Sequence, residues 1–330
     1  MTEISVVVPE FNEAANIELF ISAVTPILQA IDPRWEILFV NDGSRDATLD
    51  VIRAANFREL PRTSANFREP RIRALDFSRN FDKEVALSAG LDAAVGLAVV
   101  PIGVDLQDPP ELITAMVAKW REGYDVVLAK RVDRSTDTWL KRNSAMAFYR
   151  IIGRLSRVAI PPNVGDFRLL DASVVVALRA YPERDRFMKG IFASVGFRTA
   201  TVSYVRAARA AGETKFNSVK LFNLALEGII SFTTAPLKIW TYVGFLAALG
   251  AIIYLVVIVA RTLIYGISVP GYASLTAIML FFNGVILLGL GVQGEYIARI
   301  FTEVKARPLY VVRERIGMTD VSVSPPARTP

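Results

Sequence analysis

The chain has 330 residues, 52% hydrophobic and 21% charged, with a formal net charge of +6. A mean hydropathy of +0.37 is too high for an ordinary soluble enzyme, and the charge content is too high for a pure membrane bundle, so the length accommodates one large domain plus a membrane piece. The absence of cysteine and histidine excludes disulfides, thiolate or imidazole metal sites and a Ser-His triad, so any metal must be held by oxygen ligands, which suits Mg²⁺ or Mn²⁺. The positive charge fits simple solubility, and equally attraction to anionic lipid and phosphorylated substrates.

The N-terminus, Met1-Thr-Glu-Ile-Ser5, runs straight into a strand-like segment without the charge and apolar core of a signal peptide, so the first domain is expected in the cytoplasm. Ile4–Val8, Trp35–Val40, Ile72–Phe77, Leu97–Val104 and Tyr124–Ala129 are short, β-branched and apolar, as buried strands of a mostly parallel sheet are. Helical periodicity fills the intervals Glu13–Ile31, Asp46–Asn56, Lys83–Ala94 and Glu111–Arg121. This alternation predicts an α/β sandwich of Rossmann type. Ala55-Asn-Phe-Arg-Glu59 recurs as Ala65-Asn-Phe-Arg-Glu69, a local duplication too short to be a structural repeat.

Asn143–Ile160 interleaves apolar Met146, Phe148, Ile151, Ile152 and Leu155 with Arg150, Arg154 and Arg157. It reads as a basic amphipathic helix at a membrane surface or as a plain surface helix, and Val219–Phe232 is a second such stretch. Ile239–Ala260 and Ile264–Gly294 carry no charge, and each holds the ~20 apolar residues needed to cross a bilayer core of ~30 Å. The loop near Tyr265–Tyr272 lacks Lys and Arg, whereas Arg299, Lys305, Arg307, Arg313 and Arg315 follow the second span. The positive-inside rule then places both termini in the cytoplasm and the hairpin tip outside. Glu295 and Arg299 are spaced as an i,i+4 pair at the exit, and the last dozen residues have the composition of a disordered tail. The expected organisation is 1–235 as the catalytic domain, 236–298 as two transmembrane helices and 299–330 as a C-terminal tail.

Four groups of residues stand at expected strand ends, the edge where open α/β folds bind ligands. They are Pro9-Glu-Phe-Asn-Glu13, Asn41-Asp-Gly-Ser44, Asp105-Leu-Gln-Asp-Pro-Pro-Glu111 and the basic run Arg206–Lys215. Asp42 can accept bonds from a ribose or base, although Asp-Gly-Ser is also ordinary turn chemistry. On an extended segment Asp105 and Gln107 face the same side, presenting two oxygens to a hard cation. Asp108 reads better as a helix N-cap, with Pro109 at the first helical position and Glu111 closing a capping box. Arg209 and Lys215 flank a Gly and suit phosphate oxygens, or simply a solvated basic loop.

In order along the chain, these residues resemble the family 2 glycosyltransferases of the GT-A fold, in the polyprenyl-phosphate branch, with the bactoprenol glucosyltransferases most similar. The resemblance rests on Val7–Glu13, Val40–Ser44, Ser78–Phe81, Asp105–Glu111, Gly165–Arg168, Arg186–Gly190, Arg209–Lys215, Gly294–Arg299 and Lys305–Pro308, and covers Ile4 to about Val312. It implies a GT-A, Rossmann-like α/β domain with a mostly parallel sheet and helices on both faces, a C-terminal two-helix transmembrane hairpin and amphipathic juxtamembrane helices. It implies that Pro9, Phe11, Glu13, Val40 and Asp42 surround the donor's base and ribose. Asp105 and Gln107 would bind Mg²⁺ or Mn²⁺, Arg131 and Asp166 would lie with Asp105 at the reaction centre, and Arg209 and Lys215 would hold phosphates.

The implied partners are a nucleotide sugar, a polyprenyl phosphate and the membrane, with no nucleic acid, in a homo-oligomer (a tetramer) at the bacterial inner membrane. The implied reaction is inverting transfer of glucose from UDP-glucose to undecaprenyl phosphate, with mannose or aminoarabinose transfer as alternatives. One departure stands out: the family's Asp-x-Asp begins here with Gly103. It raises the alternative of a catalytically silent, lipid- or partner-binding homologue, and it predicts that position 103 points at the donor site beside Asp105.

Overall fold

The structure, a computed structural model, describes residues 2–59, 71–132, 161, 163–184, 186, 188–205, 235–266 and 271–318. Both amphipathic stretches, most of the duplicated segment, and Arg209 and Lys215 lie outside the described residues. The chain divides into two compact units, one formed by Met1–Tyr149, Val158–Phe216 and Pro308–Pro330, the other by Arg150–Arg157 and Asn217–Arg307.

In the first unit, strands β1 (Ile4–Glu10), β2 (Trp35–Asn41), β3 (Ile72–Phe77), β4 (Ala98–Pro101), β5 (Val126–Arg131), β6 (Val164–Asp171), β7 (Thr199–Tyr204) and β8 (Val312–Ile316) form one sheet, in the order β7-β5-β6-β4-β1-β2-β3-β8. The pairs β1–β2, β1–β4, β2–β3 and β5–β7 are parallel, and β6 and β8 run antiparallel to their neighbours. Every residue of β1 and β2 is buried, which is why these strands read as mostly apolar runs, interrupted by Ser5 and Glu36 and ended by Glu10 and Asn41.

Helices α1 (Ala14–Ile31), α2 (Thr48–Glu59), α3 (Lys83–Ala93), α4 (Leu112–Arg121), α5 (Ala172–Arg179) and α6 (Met188–Ser194) complete this unit. Alternation along the strands sorts side chains between two cores. Ile4, Val6 and Val8 of β1 join Ile37 and Phe39 of β2 in a cluster with Phe20 and Leu28 of α1, Ile52 of α2 and Met116 of α4. On the opposite face, Val40, Leu75 and Phe77 meet Ala86 and Ala89 of α3. Gly90 lets α3 sit against the sheet, since a Cβ there would fall 2.2 Å from Val7 Cγ1. Helices therefore cover both faces, as expected.

The second unit contains α7 (Ala235–Tyr265) and α8 (Tyr272–Lys305). Three helices among the described residues are long and apolar enough to cross a membrane. In α1 the apolar stripe Ile17, Phe20, Val24 and Leu28 is committed to the sheet core. The candidate segments of α7 and α8, Ile239–Tyr265 and Phe281–Lys305, have mean hydropathies of 2.8 and 1.3, and none of their described side chains is buried. The loop expected near Tyr265–Tyr272 falls between the two helices: α7 ends at Tyr265, Gly266 takes a positive φ of 75°, and α8 starts at Tyr272.

The stretch expected as a tail also differs. Its first residues continue α8 to Lys305, and Val312–Ile316 then joins the first unit's sheet as an edge strand on β3. Arg313 and Glu314 pair with Asp76 and Arg53 at 2.6 and 2.5 Å, holding that strand in register.

Candidate active site

Strand order places the carboxyl ends of β1, β2 and β4 together, and β6, running the other way, brings its start to the same edge. A cavity of about 750 Å³ opens there. It is lined by Pro9, Phe11, Glu13, Asp42, Asp105, Gln107, Arg131 and Asp166, eight of the residues singled out from sequence. Val40 is not among its lining residues. Its side chain is wholly buried in the core between β2 and α3, because alternation along β2 turns it toward the helix.

Within the cavity lining, Asp42 Oδ1 accepts a hydrogen bond from the Phe81 backbone amide at 2.6 Å. The loop after β3 is thereby drawn against the turn after β2. Gly43, at φ 69°, makes this possible, since a Cβ would fall 2.4 Å from the Arg79 carbonyl carbon. Burial raises the Asp42 carboxyl above its ordinary range, opposed by the amides of Phe81 and Asp82. Phe11 stands at the cavity wall with its side chain exposed.

Lys83 and Asp166 also line the cavity, and Lys83 Nζ donates to Asp166 Oδ2 at 2.8 Å. Burial alone would raise the Asp166 carboxyl, but the ammonium groups of Lys83 and Lys189 and the Arg168 guanidinium hold it at about 2. Asp166 Oδ1 is buried and accepts no hydrogen bond within the described residues. Next to this pair, burial and the Asp166 charge push Glu84 up to about 7. Arg131 ends β5, its backbone N–H bonded to the Asn163 carbonyl, and both residues line the cavity.

The Asp105 segment differs from its expected geometry. β4 stops at Pro101 and Leu106 takes φ 53°, so 103–107 is a turn in which the Gln107 N–H approaches Asp105 Oδ1 at 3.4 Å. Position 103 nevertheless stands beside Asp105: a Cβ on Gly103 would lie 3.1 Å from Asp105 Oδ1. Asp108 does not open a helix directly. α4 begins at Leu112, and Asp108 Oδ1 accepts the Tyr204 hydroxyl at 2.5 Å. Among the described residues no three carboxylates converge as a ready-made cation cage. The donors present, a carboxylate and an amide oxygen, fit a hard cation that completes its shell with water and substrate oxygens.

Sequence reasoning missed Lys83, Lys189, Asn163 and Tyr204, which also line the cavity. The signal for Lys83 was its place at the first turn of α3, at the same edge as the other motifs. Backbone strain marks the site as well: Asn12, Asp82, Leu106 and Asn163 have positive φ and all line the cavity or adjoin lining residues.

The sequence model described as Glycosyl transferase family 2 matches residues 5–178. The chain belongs to this family. It is 48% identical over 316 residues to an uncharacterized glycosyltransferase of Synechocystis, covering 96% of both chains. It is 49% identical over 311 residues to a prophage bactoprenol glucosyl transferase homolog of Escherichia coli K12, covering 94% of this chain and 98% of that one. A prophage-derived bactoprenol glucosyl transferase of Shigella flexneri matches at the same 49% identity and the same coverages. This glycosyltransferase therefore shares nearly its whole length with proteins of that name, the two long helices included.

Glu10 gives the domain a pH signature. It is buried with Oε1 unpartnered, and burial, reinforced by the charges of Asp46, Glu13 and Asp76, pushes its carboxyl from 4.5 up to about 9. The neutral form is the one that suits the fold, so the stability it contributes is complete below pH 4.5 and is lost as pH rises toward 9. Glu10→Gln keeps a neutral group throughout. The variant should match the natural protein near pH 5 and exceed it by on the order of a few kcal/mol near pH 8.5. Thermal melts at the two pH values check this, and an equal difference at both would contradict it.

Proposed function

We propose that this chain transfers glucose from UDP-glucose to undecaprenyl phosphate, with inversion, at the cytoplasmic face of a bacterial inner membrane. The carrying observation is a single cavity lined by Asp42, Asp105, Gln107 and the Lys83–Asp166 pair. The similarity to bactoprenol glucosyl transferases and the two long apolar helices support the lipid acceptor.

In this reading Pro9, Phe11, Glu13 and Asp42 receive the uracil and ribose, and the glucosyl group extends toward Arg131 and Asp166. An oxygen of the lipid phosphate attacks the anomeric carbon, the bond from that carbon to the diphosphate breaks, and UDP departs with the electron pair. A phosphate monoester has a second pKa of ~6 and is already mostly dianionic at neutral pH, so the step needs no histidine. Asp166, held at about 2, is a poor proton acceptor at neutral pH. Its carboxylate serves instead to orient the sugar or the acceptor phosphate, while Lys83 fixes Oδ2. Asp105 and Gln107 would hold Mg²⁺ or Mn²⁺, which when bound neutralises charge on the diphosphate. Arg131, and Arg209 and Lys215 outside the described residues, add phosphate-binding charge. A homo-tetramer is the assembly expected by resemblance.

The direct assay supplies the purified full-length protein with undecaprenyl phosphate and labelled UDP-glucose, a mannose donor or an aminoarabinose donor. Lipid-linked glucose should form, and Asp105→Ala should lower its rate by ~100-fold with folding intact. Product from another donor alone, or no lipid-linked product at all, would overturn the assignment.

Both termini are placed in the cytoplasm and the α7–α8 hairpin tip outside. The chain has no native cysteine, so a cysteine at Ser268 can be mapped without background. It should react with an impermeant thiol reagent from the periplasmic side, and reaction only from the cytoplasmic side would reverse the topology.

A further inference from the structure

The strand that follows the second long helix is built into the wall behind Asp42. Only Ala306-Arg-Pro-Leu309 separate the end of α8 from Tyr310. The Tyr310 ring stacks on Phe77, with centroids 5.1 Å apart and planes 15° from parallel. Phe77 meets Phe81 edge to face at 5.7 Å, and it is the Phe81 amide that donates to Asp42 Oδ1. On its far side Phe81 carries the Arg79 guanidinium at 3.9 Å from the ring centroid. None of Tyr310, Phe77, Phe81 and Arg79 lines the cavity.

The stack has little slack. Gly43 leaves no room for even a methyl group between the two loops. Tyr310 is held from both ends of its own segment: its hydroxyl lies 3.3 Å from Asp92 Oδ2, and the Ser78 N–H donates to the Val311 carbonyl at 3.0 Å. Just beyond, Arg313 closes on the fully buried Asp76. A shift of Tyr310 therefore moves the ring of Phe77 or leaves it uncovered. Phe81 follows, and with it the amide that fixes Asp42.

We infer that Tyr310 is a positioning residue for the nucleoside end of the donor site, acting on Asp42 through Phe77 and Phe81. This rests on the reading in which Asp42 receives the nucleoside. Because β8 belongs to the chain that leaves α8, donor binding and the seating of that chain are linked equilibria. Whatever favours one favours the other by the same factor.

The test uses the full-length protein, with UDP-glucose and Mn²⁺ as the probe. Tyr310→Phe keeps the ring and should leave donor affinity and KM within about twofold of the natural protein. Tyr310→Leu keeps apolar bulk but removes the stack, and should raise the donor Kd and KM about three- to tenfold with kcat little changed. UDP should also slow hydrogen exchange at the amides of 311–316 in the natural protein, and this protection should fall in Tyr310→Leu. Asp42→Ala is measured beside them. If Asp42→Ala weakens donor binding while Tyr310→Leu does not, the inference is wrong and the donor assignment stands. If Asp42→Ala leaves donor binding unchanged, the donor assignment itself is wrong. Should Tyr310→Leu fail to fold, the UDP-dependent protection of 311–316 in the natural protein decides, and no protection there sinks the inference.

Discussion

The hydrogen bond from the Phe81 amide to Asp42 ties together the two loops that meet at the cavity wall. Two segments from different strands, those after β2 and β3, meet there. A carboxylate oxygen used in this way cannot swing out to water, so its partner oxygen is pre-aimed. Burial opposes the charge on Asp42 and the amide bond restores part of that loss, which makes the group sensitive to its surroundings. Gly43 and the aromatic stack behind the loop exist in the structure to let those two segments touch.

Asp166 in the same cavity presents a different electrostatic problem. Asp166 is a carboxylate inside a wall, yet it stays ionised because Lys83 and Lys189 surround it. Glu10, at the end of β1 and lining the same cavity, is a buried carboxyl that burial and the charges of Asp46, Glu13 and Asp76 push up to about 9. Two acids of one cavity are thus set apart by the charges around them. For a chain without histidine this is informative. Chemistry that needs no proton abstraction from the nucleophile asks only for orientation and for charge opposite the leaving diphosphate, and lysine, arginine and carboxylate supply both.

Much of the α/β domain was legible because strands buried on both faces are mostly apolar, and β1, β2 and β3 show this despite Ser5, Glu36 and Arg73 within them. Asp42 and Asp105 could be placed because each follows an expected strand, whereas Asp166 came from the family resemblance alone. What was not legible depends on approach between distant segments. Lys83 and Asp166 are separated by 83 positions, and Arg313 and Asp76 by 237. The left-handed Leu106 turned an expected extended segment into a turn, and Tyr204 took Asp108 into a long-range contact instead of a cap. Val40 was read as a donor contact from its neighbours in the motif, while strand alternation sent its side chain into the core. β8, Val312-Arg-Glu-Arg-Ile316, is charged at its three central positions, and nothing local marks it as a strand or names β3 as its partner.

The central claim is the orientation of the donor along the cavity, with the nucleoside at Asp42 and the transferred sugar at Asp166. A structure of the full-length protein with UDP-glucose and Mn²⁺ reads it directly. The expected result has the uracil beside Phe11 and Asp42 and the glucosyl anomeric carbon facing the Lys83–Asp166 pair. A nucleotide bound in the reverse direction, or outside this cavity, would contradict it.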